Sequence, residues 1–218
     1  MPQTGEGSLL ADKAQRALYS ALRSGELRGG QFLSMSQLVG QLDYPIAAIR
    51  EAVKQASSQG LLVTVPKRGI QVMDVTPEAI RECLDFRMVL DQEGARRCIA
   101  TGSVDQLQYL REQHEKMRDA VGSATKSDLS PDAIMTDLSL HNFLAEGLGN
   151  THLMGVYEAN RMRIAIIQNA RPFLHDRIIS AMNEHLAIIQ AIEASDVEAT
   201  SQAIKYHYHQ TLRWWGVA

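Results

Sequence analysis

The sequence predicts a mainly α-helical protein in two parts, an N-terminal winged helix-turn-helix domain over 1–75 and a C-terminal all-α helical bundle over 76–218. Three observations predict it. Three short helical patterns open the chain, and two β-branched runs around a turn follow them. After residue 75 the two-residue period disappears. Six helical segments then follow, punctuated by Gly, Pro and capping residues.

Residues 1–7 are Gly-rich and polar and read as a loose tail. Over 8–24 Leu10, Ala14, Ala17, Leu18, Ala21 and Leu22 form one apolar stripe, stopped by Gly25 and Gly29-Gly30. Ser34 is an N-cap candidate for a short helix through Leu38 and Val39 to Gly40. Pro45 is placed to begin a third helix over 45–59, which Gly60 ends. Leu61–Val65 and Ile70–Val72 flank Pro66-Lys67-Arg68-Gly69, a hairpin signal whose tip carries two adjacent cations suited to phosphates. Another kind of small α+β domain is the alternative.

Asp74-Val75 reads as a linker, and Thr76-Pro77-Glu78 is a helix start with cap, proline and first-turn acid. Helices are expected near 77–101, 104–121, 131–148, 152–169, 174–193 and 196–214. Ser103 with Gln106 and Ser195 with Glu198 have capping-box spacing, and Ser130-Pro131-Asp132 is a further start. Gly102, Gly122 and Gly149-Asn150 mark ends, and 122–130 is a Ser/Lys-rich loop. Such a bundle can enclose an interior site.

Composition bounds the function. Hydrophobic content is 45% and charged content 22%, ordinary for a globular protein. No apolar run reaches the roughly 20 residues of a membrane span, and the N-terminus shows no signal peptide. Cys83 and Cys98 share one predicted helix, about 22 Å apart along its axis, too far to bridge; a reduced, cytoplasmic setting is expected. Residues 1–75 hold 8 Lys/Arg against 6 Asp/Glu, whereas the net charge of the whole is −3. That slight basic excess permits nucleic-acid binding without requiring it.

Asp137 and His141 stand four apart on one helix face, where a carboxylate and an imidazole can share a metal ion or simply bond locally. His185 shares the stripe of Ile188, Ile189 and Ile192, and His207 that of Ala199, Ala203 and Ile204, so both point inward. His209 points elsewhere. His114, in a run of Glu and Arg, reads as a surface residue, and His152 and His175 stand at helix starts. One carboxylate and three imidazoles from three helices suit zinc, nickel or a similar divalent ion.

On these residues the chain resembles the GntR transcriptional regulators, in the branch with an FCD effector domain. Leu22–Gly30 is similar to I-x-x-G-x-L-x-P-G, Ile49-Arg50-Glu51-Ala52-Val53 to V-R-E-A-L, and Gly60-Leu61-Leu62 with Pro66–Gly69 to the E-G-L-V and P-x-R-G wing. Phe86-Arg87 with Leu90-Asp91 resembles L-R-x-x-L-E, and Asp137 to His141 followed by Gly149-Asn150 resembles D-x-x-F-H and x-N. Glu184-His185, Ala191-Ile192 and Ser195-Asp196 resemble E-H-x-x-I-x-x-A-I-x-x-G-D, with His207 eleven past the Asp. Six effector-domain helices look more like the VanR type than the seven-helix FadR type.

The resemblance implies a homodimer on a palindromic double-stranded operator, a repressor before an activator, with a small organic-acid effector beside a metal. Asp137, His141, His185 and His207 would ligate the metal, zinc first, with nickel or manganese as alternatives. Arg87, Asn183 and Arg163 would serve the effector, though Arg87 is equally placed for an internal salt bridge. Arg50, Lys67, Arg68, Ile46 and Ala47 would meet DNA, Arg50 being equally able to pack its stem in the domain. One departure matters: the family's recognition helix opens S-R-T-P, where this chain has Pro45-Ile46-Ala47-Ala48. Ile46 or Ala47 would then touch a thymine methyl instead of an Arg reading a base. Two other functions stay open at this point, a metal-dependent enzyme and a metabolite-binding protein with weakened DNA binding. Against the enzyme, there is no G-x-S-x-G and no separate base at a telling spacing.

Overall fold

The computed structural model describes residues 4–102, 105–121, 130–171 and 174–218. Its elements are α1 (Thr4–Ser24), β1 (Phe32–Leu33), α2 (Met35–Leu42), α3 (Ile46–Ser58), β2 (Leu62–Val65), β3 (Gly69–Val72), α4 (Pro77–Thr101), α5 (Leu107–Val121), α6 (Ser130–Gly147), α7 (Thr151–Ala170), α8 (His175–Glu193) and α9 (Val197–Trp214). They form two compact units, Met1–Ala79 with Arg161–Arg171, and Ile80–Asn160 with Pro172–Ala218.

In the first unit Ala14, Leu18 and Leu22 of α1 pack with Leu38 of α2 and Ile49, Ala52 and Val53 of α3. α1 begins at Thr4 rather than at residue 8, because extending a formed helix is easy compared with nucleating one. Ser34 and Gln37 close a capping box at the start of α2. The hairpin β2–β3 pairs Leu62 with Val72 and Val65 with Gly69. β1, two residues long and too short to show a period, adds a third strand in the order β1-β3-β2. The end of α7 belongs to this unit. Met162 and Ile166 join its core, and the Asn169 amide donates to the carbonyls of Leu22 and Arg23 at the end of α1.

The second unit holds α4–α6, the first part of α7, α8 and α9. Leu140 and Leu144 of α6, Ile188, Ile189 and Ile192 of α8 and Ile204 of α9 share one core with Leu107 and Leu110 of α5. Asp196 caps α9 with a bond to the Ala199 amide. The expected cap Ser195 instead takes the left-handed conformation, φ 54°, that turns the chain before it. The Ser103 cap and 122–129 lie outside the described residues. The backbones of α4 and α6 touch: a Cβ on Gly94 would stand 1.9 Å from the Leu144 carbonyl oxygen, and one on Gly147 2.8 Å from the Gly94 oxygen. Three residues back on each helix, Asp91 and His141 meet.

That crossing has no room for a methyl group. Gly94→Ala is expected to lower stability by about 1–3 kcal/mol or more through overpacking. Gly155→Ala, in an open stretch of α7 with nothing within 4 Å, should hold or raise it. Urea titrations of the two variants check the contrast.

Candidate metal centre

Three helices of the second unit bring the candidate ligands into its interior. Asp137 and His141 come from α6, His185 from α8 and His207 from α9, and all four are buried. One ring nitrogen each from His141, His185 and His207 lie within 4.8 Å of one another. His185 Nε2 is 3.4 Å from His207 Nε2 and 3.6 Å from Asp137 Oδ1. Two nitrogens on one tetrahedral zinc stand about 3.3 Å apart, given Zn–N bonds of about 2.05 Å. The His185–His207 and His185–Asp137 pairs are therefore spaced close to an edge of a coordination polyhedron.

The outer faces of the rings are engaged. His141 Nδ1 donates to Asp91 Oδ2 at 2.8 Å, and Asp91 Oδ1 accepts from the Tyr157 hydroxyl at 3.0 Å. His207 Nδ1 donates to Glu184 Oε2 at 2.7 Å, while Arg177 binds Glu184 Oε1 at 2.5 Å and the Thr211 hydroxyl at 3.0 Å. Carboxylates behind imidazoles are the usual supports of metal-bound histidine, since they fix ring orientation and raise basicity. His141 Nε2, by contrast, is buried with no hydrogen-bond partner among the described residues. An orphaned buried nitrogen is costly, and a divalent cation would satisfy it. The residues present fit such an ion.

Burial also sets the protonation state. It pushes His141 down to about 3, with the Arg87 charge adding to the effect. It pushes His207 to about 3 despite the Glu184 bond, and His185 well below its ordinary value. The rings are neutral near pH 7, as ligands must be. Burial lifts the Asp91 carboxyl to about 7 against the opposing Arg87 charge and Tyr157 bond. Burial pushes Glu184 upward too, but its bonds from His207 and Arg177 prevail and leave it below the usual value.

Of the four ligand candidates the sequence singles out, the three histidines bring ring nitrogens within 4.8 Å of one another and Asp137 reaches His185 at 3.6 Å, while other candidates lie apart. Arg87 is buried on α4, its Nε 4.0 Å from Asp91 Oδ2, an ion pair beyond hydrogen-bond distance. Asn183 is exposed: two positions from His185, it falls on the other side of α8, and an effector role in the cluster is withdrawn. Arg163 lies in the first unit, where its guanidinium donates to the Gln59 carbonyl at 2.9 and 3.2 Å. Those bonds occupy it at the end of α3, so it too leaves the effector set. His114, expected on the surface, is fully buried, with Nε2 3.1 Å from His185 Nδ1. Its own stripe of Leu107, Leu110, Met117 and Val121 carried the signal that its charged neighbours hid. Asp91, Glu184 and Arg177 are further members not singled out as ligands' supports, because their partners lie far along the chain. His152 is exposed, and the His175 side chain is outside the described residues.

In the first unit Ile46 opens α3 with 47% of its surface exposed, and Ala47 and Arg50 are exposed beside it. Lys67 and Arg68 are exposed at the hairpin tip, the Arg68 guanidinium lying 4.2 Å over the Phe32 ring.

A winged helix-turn-helix unit in one chain with an all-α helical unit is the architecture of a two-domain transcriptional regulator. The FCD-domain family model matches residues 82–210, and the chain belongs to that family, in its GntR-type setting. It is 22% identical over 192 residues to YdhC of Bacillus subtilis (strain 168), named an uncharacterised HTH-type transcriptional regulator, covering 88% of this chain and 84% of that one. In fold it is similar to McbR/YncC of E. coli, with TM-score 0.75, 18% identity and 95% and 97% of the two chains covered. A solved structure described as a transcriptional regulator GntR, from Rhodococcus sp. RHA1, also gives TM-score 0.75, at 20% identity over 94% and 97% of the chains. The relatives named here are regulators, not enzymes. No helix among the described residues is long and apolar enough to cross a membrane.

The buried imidazoles make the cation-free protein sensitive to acid. An unfolded imidazole titrates near 6.5, whereas folded His141 and His207 hold out to about 3. The unfolded chain takes up these protons first, so stability is intact above 6.5 and is lost as pH falls toward 3. Asp91, raised from 3.8 to about 7, acts in the opposite sense, but it is one group against four buried rings, His114 included. Stability should therefore drop between pH 7 and pH 5, by at most about 1.4 kcal/mol per pH unit per imidazole. His207→Leu should flatten the slope in urea titrations at pH 7, 6 and 5.

Proposed function

We propose that this protein is a transcriptional regulator that binds a palindromic operator as a homodimer and answers to a small carboxylate-bearing effector held beside a divalent cation. The supporting observation is the buried convergence of Asp137, His141, His185 and His207 beside Arg87, in a chain that also carries a winged helix-turn-helix. Three nitrogens and one carboxylate suit zinc best, with nickel or manganese as alternatives. When bound, the cation supplies a fixed positive charge and a position that an oxygen of the effector can take.

Charge counting favours an anionic effector. The buried cluster holds the guanidiniums of Arg87 and Arg177 and the carboxyl groups of Asp91, Asp137 and Glu184. Formally that leaves one negative charge in excess, and a divalent cation reverses it to one positive. A monoanion completes the balance. Arg177 is committed to Glu184, Ser180 and Thr211; among the described residues Arg87 has the long contact to Asp91 described above, so its fork of donors is the better placed to meet a carboxylate.

On the DNA side, Lys67 and Arg68 would lie on phosphates and α3 in the major groove, with Ile46, Ala47 and Arg50 foremost. The exposed Ile46 favours a second reading in which DNA binding is weakened and the chain serves mainly to bind its metabolite.

Elemental analysis with native mass spectrometry of untreated protein is expected to find one divalent cation per chain, and none in His185→Ala. Gel shifts on the upstream region of its own gene, with and without candidate acids, separate the two readings. Arg87→Ala should weaken the effector about 10–100-fold while leaving metal content unchanged; an unchanged response to the effector would remove Arg87 from this role. Replacing operator thymines by uracil should weaken binding about fourfold where Ile46 meets a methyl. The same replacement should have no effect on Ile46→Ala, and a wild-type protein indifferent to every uracil would exclude the methyl contact.

A further inference from the structure

α5 gives the cluster one residue, His114, that is not among the four candidate ligands. It is fully buried. Its Nδ1 lies 2.7 Å from the Leu110 carbonyl oxygen one turn back on the same helix, and its Nε2 lies 3.1 Å from His185 Nδ1. A carbonyl only accepts, so the proton of His114 sits on Nδ1. A neutral imidazole carries one N–H, so with that proton on Nδ1 its Nε2 is a bare lone pair. A lone pair only accepts, so His185 must present N–H from Nδ1. His185 Nε2 is then free of hydrogen and faces His207 Nε2 and Asp137 Oδ1.

His185 differs from the other two rings in what stands behind it. His141 leans on Asp91 and His207 on Glu184, and each carboxylate draws the ring proton to Nδ1. The carboxylate oxygen recorded against His185 is Asp137 Oδ1, and it lies on the Nε2 side. Left to Asp137, the proton of His185 would settle on Nε2 and stand where a cation must bind. We propose that His114 is a positioning residue which, anchored by the Leu110 carbonyl, keeps the His185 proton on Nδ1 and so holds Nε2 open for the cation. This rests on the cation reading given above for the same cluster. It also makes the His185 support neutral where the other two are carboxylates, so His185 is the least basic of the three imidazole donors.

Long-range proton–nitrogen correlation spectra of the metal-free, 15N-labelled full chain read the relay directly. Wild type should show N–H at Nδ1 of both His114 and His185. In His114→Leu, which keeps the buried volume and removes the acceptor, the His185 proton should move to Nε2. Zinc affinity, measured by competition with a chromophoric chelator, should fall about 10–100-fold. His114→Gln, whose amide oxygen can still accept, should recover part of that loss. A merely structural histidine would lower the unfolding midpoint and leave both the His185 tautomer and the zinc affinity in place. Wild-type His185 protonated at Nε2, or zinc affinity in His114→Leu within about threefold of wild type, would overturn the proposal. If wild type takes up no zinc, nickel or manganese, the cation reading falls by itself and the proposal's claim on metal falls with it, while the metal-free spectra still decide where the His185 proton lies.

Discussion

Three imidazoles with their outer nitrogens engaged turn their remaining nitrogens inward, and in this protein one ring nitrogen of each lies within 4.8 Å of the others. His141 is backed by Asp91, His207 by Glu184 and His185 by His114. Burial forbids the usual relief, since a protonated ring in this interior would be a desolvated charge. The divalent cation proposed above would satisfy those nitrogens. The same arrangement that makes the metal-free unit vulnerable to acid makes it a ready receptor for a divalent ion.

The fold delivers this arrangement through unusually close helix contacts. Gly94 and Gly147 let α4 and α6 meet backbone to backbone, which sets Asp91 against His141. On the opposite side, the Arg177–Glu184 pair and Thr211 tie α8 to α9 and lock the orientation of His207. Arg177 satisfies Glu184 on its second oxygen, so the carboxylate is held ionised in a dry setting. Polar groups this deep are stable only when each has its partner; among the described residues the inward nitrogen of His141 has no hydrogen-bond partner, nor do a buried atom of Ser57 and one of Arg171 elsewhere.

Much of this was legible in the chain because period and spacing are local. The hairpin around Pro66–Gly69, the proline starts at Pro45 and Pro77, and the helix ends at Gly102 and Gly149 all follow from backbone chemistry that one residue dictates. Asp137 and His141 share a face by arithmetic, and His185 and His207 lie on apolar stripes that must point inward. What was not legible depends on contacts between distant segments. β1 exists because β3 offers it an edge. The last turns of α7 belong with the first unit because Asn169 and Arg163 find carbonyls there. His114 and Asn183 are different, since the periodicity of their own helices places one inside and the other outside. The charged residues around it, Arg111, Glu112, Glu115 and Lys116, obscured the first, and proximity to a motif recommended the second.

The relatives are distant in sequence, so fold and family follow from them while the chemistry of the site must be read from this chain. Ile46, exposed at the start of α3, stands where the motif this chain resembles has an arginine. X-ray absorption at the metal edge of protein purified without chelators or added metal tests the central claim most directly. The account predicts a cation surrounded by three imidazole nitrogens at about 2.0–2.1 Å with oxygen completing the shell. An absent edge for every divalent transition metal, or a shell without imidazole scattering, would contradict it.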